Sequence, residues 1–507
     1  MASDNSTTAA DPSAAAQQLP LRQSTEIQGN VLAAFNKDHA LFLLLQFPDR
    51  LGAQQWLQQI ASRVATTADV ATYNRQFQQA RDATGGDDPR GLKAVWIGLS
   101  LTAPGIEILA PDVAGDLARF EAFRAGPAVR AEQLGDTGPS APARWLFGGP
   151  HQPPIHALVT VAADEPEHLL AEVDKQRSLA ARHRLSVVFE QRGDTLSGHR
   201  AGHEHFGFKD GISQPGIDGF TPAVRRHDRE EDARHSGSEI LPAGEFVLGL
   251  DRAAEPAAAE NPLGGPEFTP DQVPDWMRNG AFQVFRRLAQ DVPGWWSQVT
   301  RNSDSLPEDE PVQADLLAAK LVGRWRSGTP LALASERDNR SARDRRRDND
   351  FAYDADPFGH ATPRFAHIRK MYPRSEKFHD DKRRILRRGI PFGAPFDPAT
   401  GRGRGVDADR GLLFTAYMLS IRDQFEFLQQ SWADFPKFPG VVDGVQPVDD
   451  GPDPVIGDNE ASCRLRRPDG EDRLLDFRRF VHTSGAVYAF TPSISALRRL
   501  AGAGSSA

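Results

Sequence analysis

The chain has 507 residues, 25% of them charged, and a net charge of −9; this is a globular composition without the basic surface that a general nucleic-acid partner needs. Its single cysteine, Cys463, excludes an intrachain disulfide and any thiolate-held zinc or iron–sulfur cluster. No apolar run approaches the length of a membrane span, so no membrane partner is expected.

The opening "MASDNSTTAADPSAAAQQLPLRQ" is rich in Ala, Ser and Thr and has no apolar stretch, so residues 1–25 read as a disordered tail. No secretion signal is visible and a cytoplasmic location is expected, although a secreted chain with its leader removed would begin the same way. Order is expected from "EIQGNVLAAFNKDHALFLLLQF". The nearly continuous apolar run "HALFLLLQF" (39–47) predicts a covered strand, and "GAQQWLQQIASRVA" predicts the helix after it. Further strands are predicted at 94–101, 155–163 and 184–192. Between the last two, Leu169, Leu170, Val173 and Leu179 are spaced as on a helix.

The rhythm then returns. "AFQVFRRL" (281–288) and "GLLFTAYMLS" (411–420) predict strands, and 315–325 and 422–435 predict helices. "AVYAFTPS" (486–493) predicts a last strand before a short terminal helix. Two α+β halves with helix-covered sheets follow, and a duplication is suspected from the rhythm alone. The charged, aperiodic segments 225–239 and 335–350 read as solvated surface insertions.

Several residues carry possible chemistry. Asp210 lies between Gly207 and Gly211 in "HFGFKDGISQP", where Asp-Gly ordinarily marks a turn. His203 and His205 form a His-x-His pair that suits a metal, but no third ligand is identifiable nearby. His367 in "FAHIRKMYPR" is undistinguished alone. In "RRILRRGIPFG", one or two arginines must point inward if Ile385, Leu386 and Ile390 are covered, and an inward arginine needs an anionic partner or ligand.

Taken in order, Gly-x-x-Asp-Gly, His-Ile-Arg-x-x-x-Pro-Arg and Arg-Arg-Gly-Ile-Pro-Phe-Gly resemble the dye-decolourising peroxidase family, in its larger bacterial and fungal type. The blocks "KLVGRWRSGTPL", "RGLLFTAYMLSIRDQFEFLQQSW" and "AVYAFTPSISAL" extend the resemblance from about residue 26 to about 500. It implies two ferredoxin-like α+β modules of the dimeric α+β barrel superfamily, here 26–219 and 220–507, enclosing one non-covalent haem b per chain. It also implies oxidation of bulky donors by hydrogen peroxide through a ferryl state; dyes, phenolics, lignin-related compounds and Mn(II) are the donor classes, and the oligomeric state stays open.

Residue by residue, the resemblance makes Asp210 the distal acid–base, Arg387 the distal arginine with Arg388 as the adjacent alternative, and His367 the iron ligand. Gly207 and Gly211 shape the turn against the macrocycle, and Leu412 and Phe414 cover its distal face. Asp453 in "GPDPVIG" is the candidate carboxylate behind His367. Tyr372 departs from the commoner Asn of Asn-Pro-Arg. Trp295, Trp296, Trp325, Trp432, Tyr353 and Tyr417 are possible electron carriers for donors too large to reach the iron. Two other classes remain: a haem-binding or haem-delivery protein without catalysis, and a carboxylate hydrolase using Asp210 with His203 or His205.

Overall fold

The computed structural model describes residues 19–85, 89, 91–222, 239–253, 263, 265–306, 313–339, 348–396, 409–439, 449–457 and 462–502. Residues 1–18 of the expected tail, and 225–238 and 340–347 of the expected insertions, lie outside them. The tail expectation is too long at its end. Pro20–Gln23 form a 3₁₀ turn, the Leu21 N–H donates to Gly219 O at 3.1 Å, and Arg22 Nε donates to Phe220 O at 2.7 Å. These main-chain partners on a distant segment hold residues that composition alone would leave loose.

The first half contributes strands β1 (His39–Gln46), β2 (Val95–Leu101), β3 (Ala157–Ala163) and β4 (Ser186–Asp194). A short parallel pair follows, β5 (Gly216–Ile217) with β6 (Ile240–Leu241). The second half contributes β7 (Ala281–Gln290), β8 (Leu386–Arg387), β9 (Ile390–Phe392) and β10 (Gly411–Met418). The hairpin β11 (Ser462–Leu465) with β12 (Arg473–Asp476) follows, and then β13 (Val481–Thr491).

Nine of these strands form one antiparallel sheet in the order β4-β1-β3-β2-β13-β7-β10-β8, with β9 also paired to β10. Counting β8 and β9 as one interrupted strand and leaving aside the separate β11–β12 hairpin, within each half the fourth strand lies beside the first, then the third, then the second. The repeated sequence rhythm is therefore a repeated topology, the antiparallel ferredoxin-like order. The halves meet where Leu101 of β2 pairs with Phe490 of β13.

β1 shows why its sequence is apolar throughout. Leu41, Leu43 and Leu45 pack into the core beneath the helices, whereas Ala40, Phe42 and Leu44 face a second core. Successive side chains point to opposite faces, so a strand covered on both needs no polar alternation. The helix Arg50–Ala61 covers the first face with Trp56, Leu57 and Ile60, and the Asp49 side chain caps it by accepting from Gly52 N at 2.8 Å.

The second core gathers Phe42, Phe285, Leu413, Val487, Ile390 and Phe392 from five strands besides β1's neighbours. Phe42 and Phe285 stack with centroids 4.8 Å apart. The sheet curls until β4 lies against β9: a side chain at Gly193 would come within 2.6 Å of Ile390 and 3.0 Å of Pro391 O. Arg287 of β7 ties the curl by donating to Gln191 of β4 at 2.8 Å.

The helix predicted at 422–435 is wide, with π-type turns over Ile421–Glu426 and Leu428–Ala433. Such turns cluster at functional sites. Phe425, Leu428 and Gln429 from this segment line the cavity described next. No helix among the described residues is long and apolar enough to cross a membrane.

Candidate active site

One cavity collects side chains from both halves, among them Asp210, Gly211, His367, Arg387, Leu412 and Phe414. Each arrives on a different piece of the fold. Asp210 sits on the loop after β4, His367 begins the short helix His367–Met371, and Arg387 ends β8. Leu412 and Phe414 are two residues apart on β10, so both face the cavity.

The Asp210 loop is held by main-chain hydrogen bonds, both within it and to a distant segment. Asp210 N–H donates to Gly202 O at 3.0 Å, and Lys209 N–H donates to Arg326 O at 3.1 Å. Gly207 and Gly211 have φ of +97° and +75°, where L side chains are strained. A Cβ on Gly211 would meet nothing within 4 Å, which leaves the cavity side open. Gly207 differs from its expected place: it does not line the cavity, and a Cβ there would press on Arg326 Nη2 at 3.0 Å. Its requirement is conformational and lies one step behind the site.

Arg387 Nη1 donates to Asp210 Oδ1 at 2.8 Å. Burial pushes the Asp210 carboxyl up. The Arg387 charge, the Gly211 N–H at 2.6 Å and the Arg387 hydrogen bond together outweigh that, so the carboxyl sits below its ordinary value. Gln214 sets the register of the pair: its side chain accepts from Arg387 N at 3.3 Å and donates to Arg387 O at 3.0 Å.

His367 Nδ1 lies 2.7 Å from Asp453 Oδ2. A carboxylate oxygen only accepts, so Nδ1 carries the proton and the lone pair is left on Nε2, at the other edge of a ring that lines the cavity. Asp453 is fully buried, and its Oδ1 accepts from Val455 N at 2.8 Å and Ile456 N at 3.2 Å. That fixes the carboxylate, which in turn fixes the ring.

Arg388 is corrected. Its guanidinium turns away from the cavity and donates to Asn30 O, Val31 O and Leu32 O at 3.0, 2.9 and 3.2 Å. It satisfies the carbonyls at the end of the short helix Gly29–Leu32. Arg388→Ala is expected to cost about 3 kcal/mol of stability, since those carbonyls lose a charged donor; urea unfolding measures it.

The histidine pair is not part of the site. His205 is buried with Nε2 2.8 Å from Phe392 O, and burial lowers it to about 4. His203 Nδ1 lies 3.0 Å from Ala201 O. The side-chain partner of Asp210 is Arg387, so the acid–histidine pair of the hydrolase reading does not form. Among the described residues there is no group of three side chains able to hold a metal ion.

Two cavity residues escaped the sequence reading. Glu204 accepts from Phe206 N and Phe208 N at 2.8 and 2.9 Å, bracing the Asp210 loop. Burial pushes its carboxyl up to about 7, against those bonds and one from Gln290. Arg324 donates to Gly328 O, Asp348 O and Asn349 Oδ1, and Asn349 reaches Ile212 O in the same loop. No local pattern marks either residue, because each works largely through main-chain groups, which carry no sequence label.

Residues 26–195 match the family model for the DyP dimeric alpha+beta barrel domain, and residues 252–438 match that for the Dyp-type peroxidase C-terminal domain. Peroxidase 2 of Mycetinis scorodonius is 30% identical, the match covering 94% of this chain and 86% of the relative. A multifunctional dye peroxidase of Amycolatopsis sp. is also 30% identical, over 94% of this chain and 95% of its own. Among solved structures, a variant of the dye-decolorizing peroxidase from Pleurotus ostreatus superposes with a TM-score of 0.78 at 27% identity, covering 94% of this chain and 99% of that one. A dye-decolorizing peroxidase in complex with 2,6-dimethoxyphenol gives 0.76 at 26% identity, over 95% and 99%. Two domain models spanning most of the chain, and relatives matched along nearly its whole length, establish that the protein belongs to the dye-decolourising peroxidase family, whose members are haem enzymes acting with hydrogen peroxide.

Proposed function

We propose that the chain holds one non-covalent haem b in this cavity and uses hydrogen peroxide to oxidise bulky organic donors, chiefly dyes and phenolics. The observation that carries the reading is the Asp210–Arg387 pair at 2.8 Å in the same cavity as a His367 backed by Asp453. The donor set fits a haem: a neutral imidazole with a free lone pair offers the iron one ligand. Leu412, Phe414, Ile368, Met371, Leu428 and Val455 offer apolar walls to a flat ring. Non-covalent attachment agrees with the lack of a Cys-x-x-Cys-His site.

The bound haem supplies the iron at which the peroxide O–O bond is cleaved. Asp210, ionised, accepts the proton of one peroxide oxygen and returns it to the other, which leaves as water. Arg387 stabilises the negative charge on the departing oxygen, and its guanidinium does not deprotonate. Asp453 keeps the His367 ring in one tautomer and makes it more electron-rich. Haem storage or delivery requires neither Asp210 nor Arg387, which is why catalysis is the favoured reading. The solved structure of a dye-decolorizing peroxidase in complex with 2,6-dimethoxyphenol supports phenolic donors. Of the six aromatic carriers named above, Trp296 retains exposed surface, and its Nε1 donates to Phe206 O at 3.1 Å beside the cavity.

The pH dependence follows in sign. Below the depressed pKa of Asp210 the base is protonated and cannot accept. Above it the carboxylate is ionised and available; with an ordinary Asp value of about 3.9, lowered here, the base already works in acid, and an acidic optimum for dye oxidation is expected. Initial rates against pH test this, and a peak above neutrality with every donor would remove Asp210 from the role. Stopped-flow spectra of the haem-replete protein mixed with peroxide test the whole reading: an unchanged Soret band leaves haem binding without catalysis.

A further inference from the structure

Four arginines crowd the segment 383–388, and three have their charge or donors answered. Arg387 meets Asp210, and Arg388 meets the carbonyls of Asn30–Leu32. Arg383 donates to Asp423 O at 2.6 Å and lies 3.9 Å over the Phe427 ring. Arg384 is different. It lines the cavity with only 6% of its surface exposed, its Nη1 is buried without a partner, and its one hydrogen bond, Nη2 to Ser213 O, is 3.5 Å long. No carboxylate pairs with it among the described residues.

The surroundings hold Arg384 in place but leave its charge unmet. Its guanidinium lies 3.8 Å from the Tyr372 ring centre, and Arg374 lies 4.6 Å from the same centre. Tyr372 donates to Glu239 at 3.2 Å, and Asp380 accepts from Ser375 N at 3.1 Å, so these acids are engaged elsewhere. A buried arginine without an acid partner is costly unless an anion completes it. Other cavity arginines do not share the shortage: Arg324 spends its donors on three acceptors, and Arg286 pairs with Asp136.

We propose that Arg384 anchors a carboxylate at the edge of the cavity, and that this carboxylate is a propionate of the haem. The inference rests on the haem reading above. An oxidisable donor bearing a carboxylate offers the same chemistry. However, a partner for a side chain this buried must itself be buried, which suits a resident group better than one that exchanges every turnover. Met371 and Tyr372, from the end of the His367 helix, line the same wall, so the anchor and the iron ligand share one stretch of cavity.

The test loads wild type, Arg384→Met and Arg384→Lys with haem or with haem dimethyl ester, which lacks the two free carboxylates. The rate of transfer to excess apomyoglobin is followed in the Soret band. Arg384→Met is expected to lose haem about tenfold faster or more than wild type. With the diester, the ratio falls toward one, and Arg384→Lys recovers part of the difference with haem alone. An equal ratio with both haems means a merely structural role and overturns the anchor. So does unchanged haem loss with a raised KM confined to carboxylate-bearing phenols, which would make the donor the source. Wild-type protein that takes up neither haem sinks the haem reading itself, and the anchor with it.

Discussion

Asp210→Asn protein keeps its Soret absorbance and loses about 10²–10⁴-fold of its peroxide-dependent dye oxidation. The amide is nearly isosteric, and its oxygen still accepts from Arg387 Nη1, which stands 2.8 Å from the native carboxylate. Cavity shape and haem content therefore survive, and only proton transfer is removed. Turnover of haem-normalised protein checks this; activity within a few-fold of wild type would mean that another group, or solvent, moves the proton. The acid limb of the pH profile should disappear with the carboxylate, since that limb is the titration of Asp210.

His367→Ala abolishes the five-coordinate haem spectrum, and haem content falls with it. Removing only the partner, in Asp453→Asn, is expected to weaken haem retention or activity by about 10–100-fold, the usual cost of losing a ligand's hydrogen-bond partner. The histidine deletion must exceed this, because it removes the bond to iron itself. The order can be checked by pyridine haemochrome content and by the Soret position in both variants. Full haem content with a native spectrum in His367→Ala would assign the ligand elsewhere.

Much of this architecture could be read from the chain, and the unread parts have physical causes. The strand 39–47 announces itself because burial on both faces demands continuous apolar sequence. The merging of two sheets was not legible, since it rests on one described pair, Leu101 with Phe490. Asp210 and His367 stand in distinctive local sequence. Arg387 and Arg388 do not separate, because neighbours on an extended segment point to opposite faces and the face is decided by tertiary packing. Arg384 was one of several arginines needing an anion, and only the partners of the other three single it out. Glu204 and Gln214 act through main-chain groups, which carry no sequence label.

The central position of β13 has a consequence for how the molecule is made. β13 is synthesised after every other strand of the sheet, yet it lies between β2 and β7. Until Val481–Thr491 leaves the ribosome, both halves carry an unpaired strand edge, the template for pairing with another chain. The largest set of sheet contacts is thus also among the last available, which favours slow, chaperone-exposed assembly. Val481 and Thr483 also line the cavity, so its wall is complete only after that strand has docked. Cofactor capture belongs to the finished polypeptide, not to the nascent one.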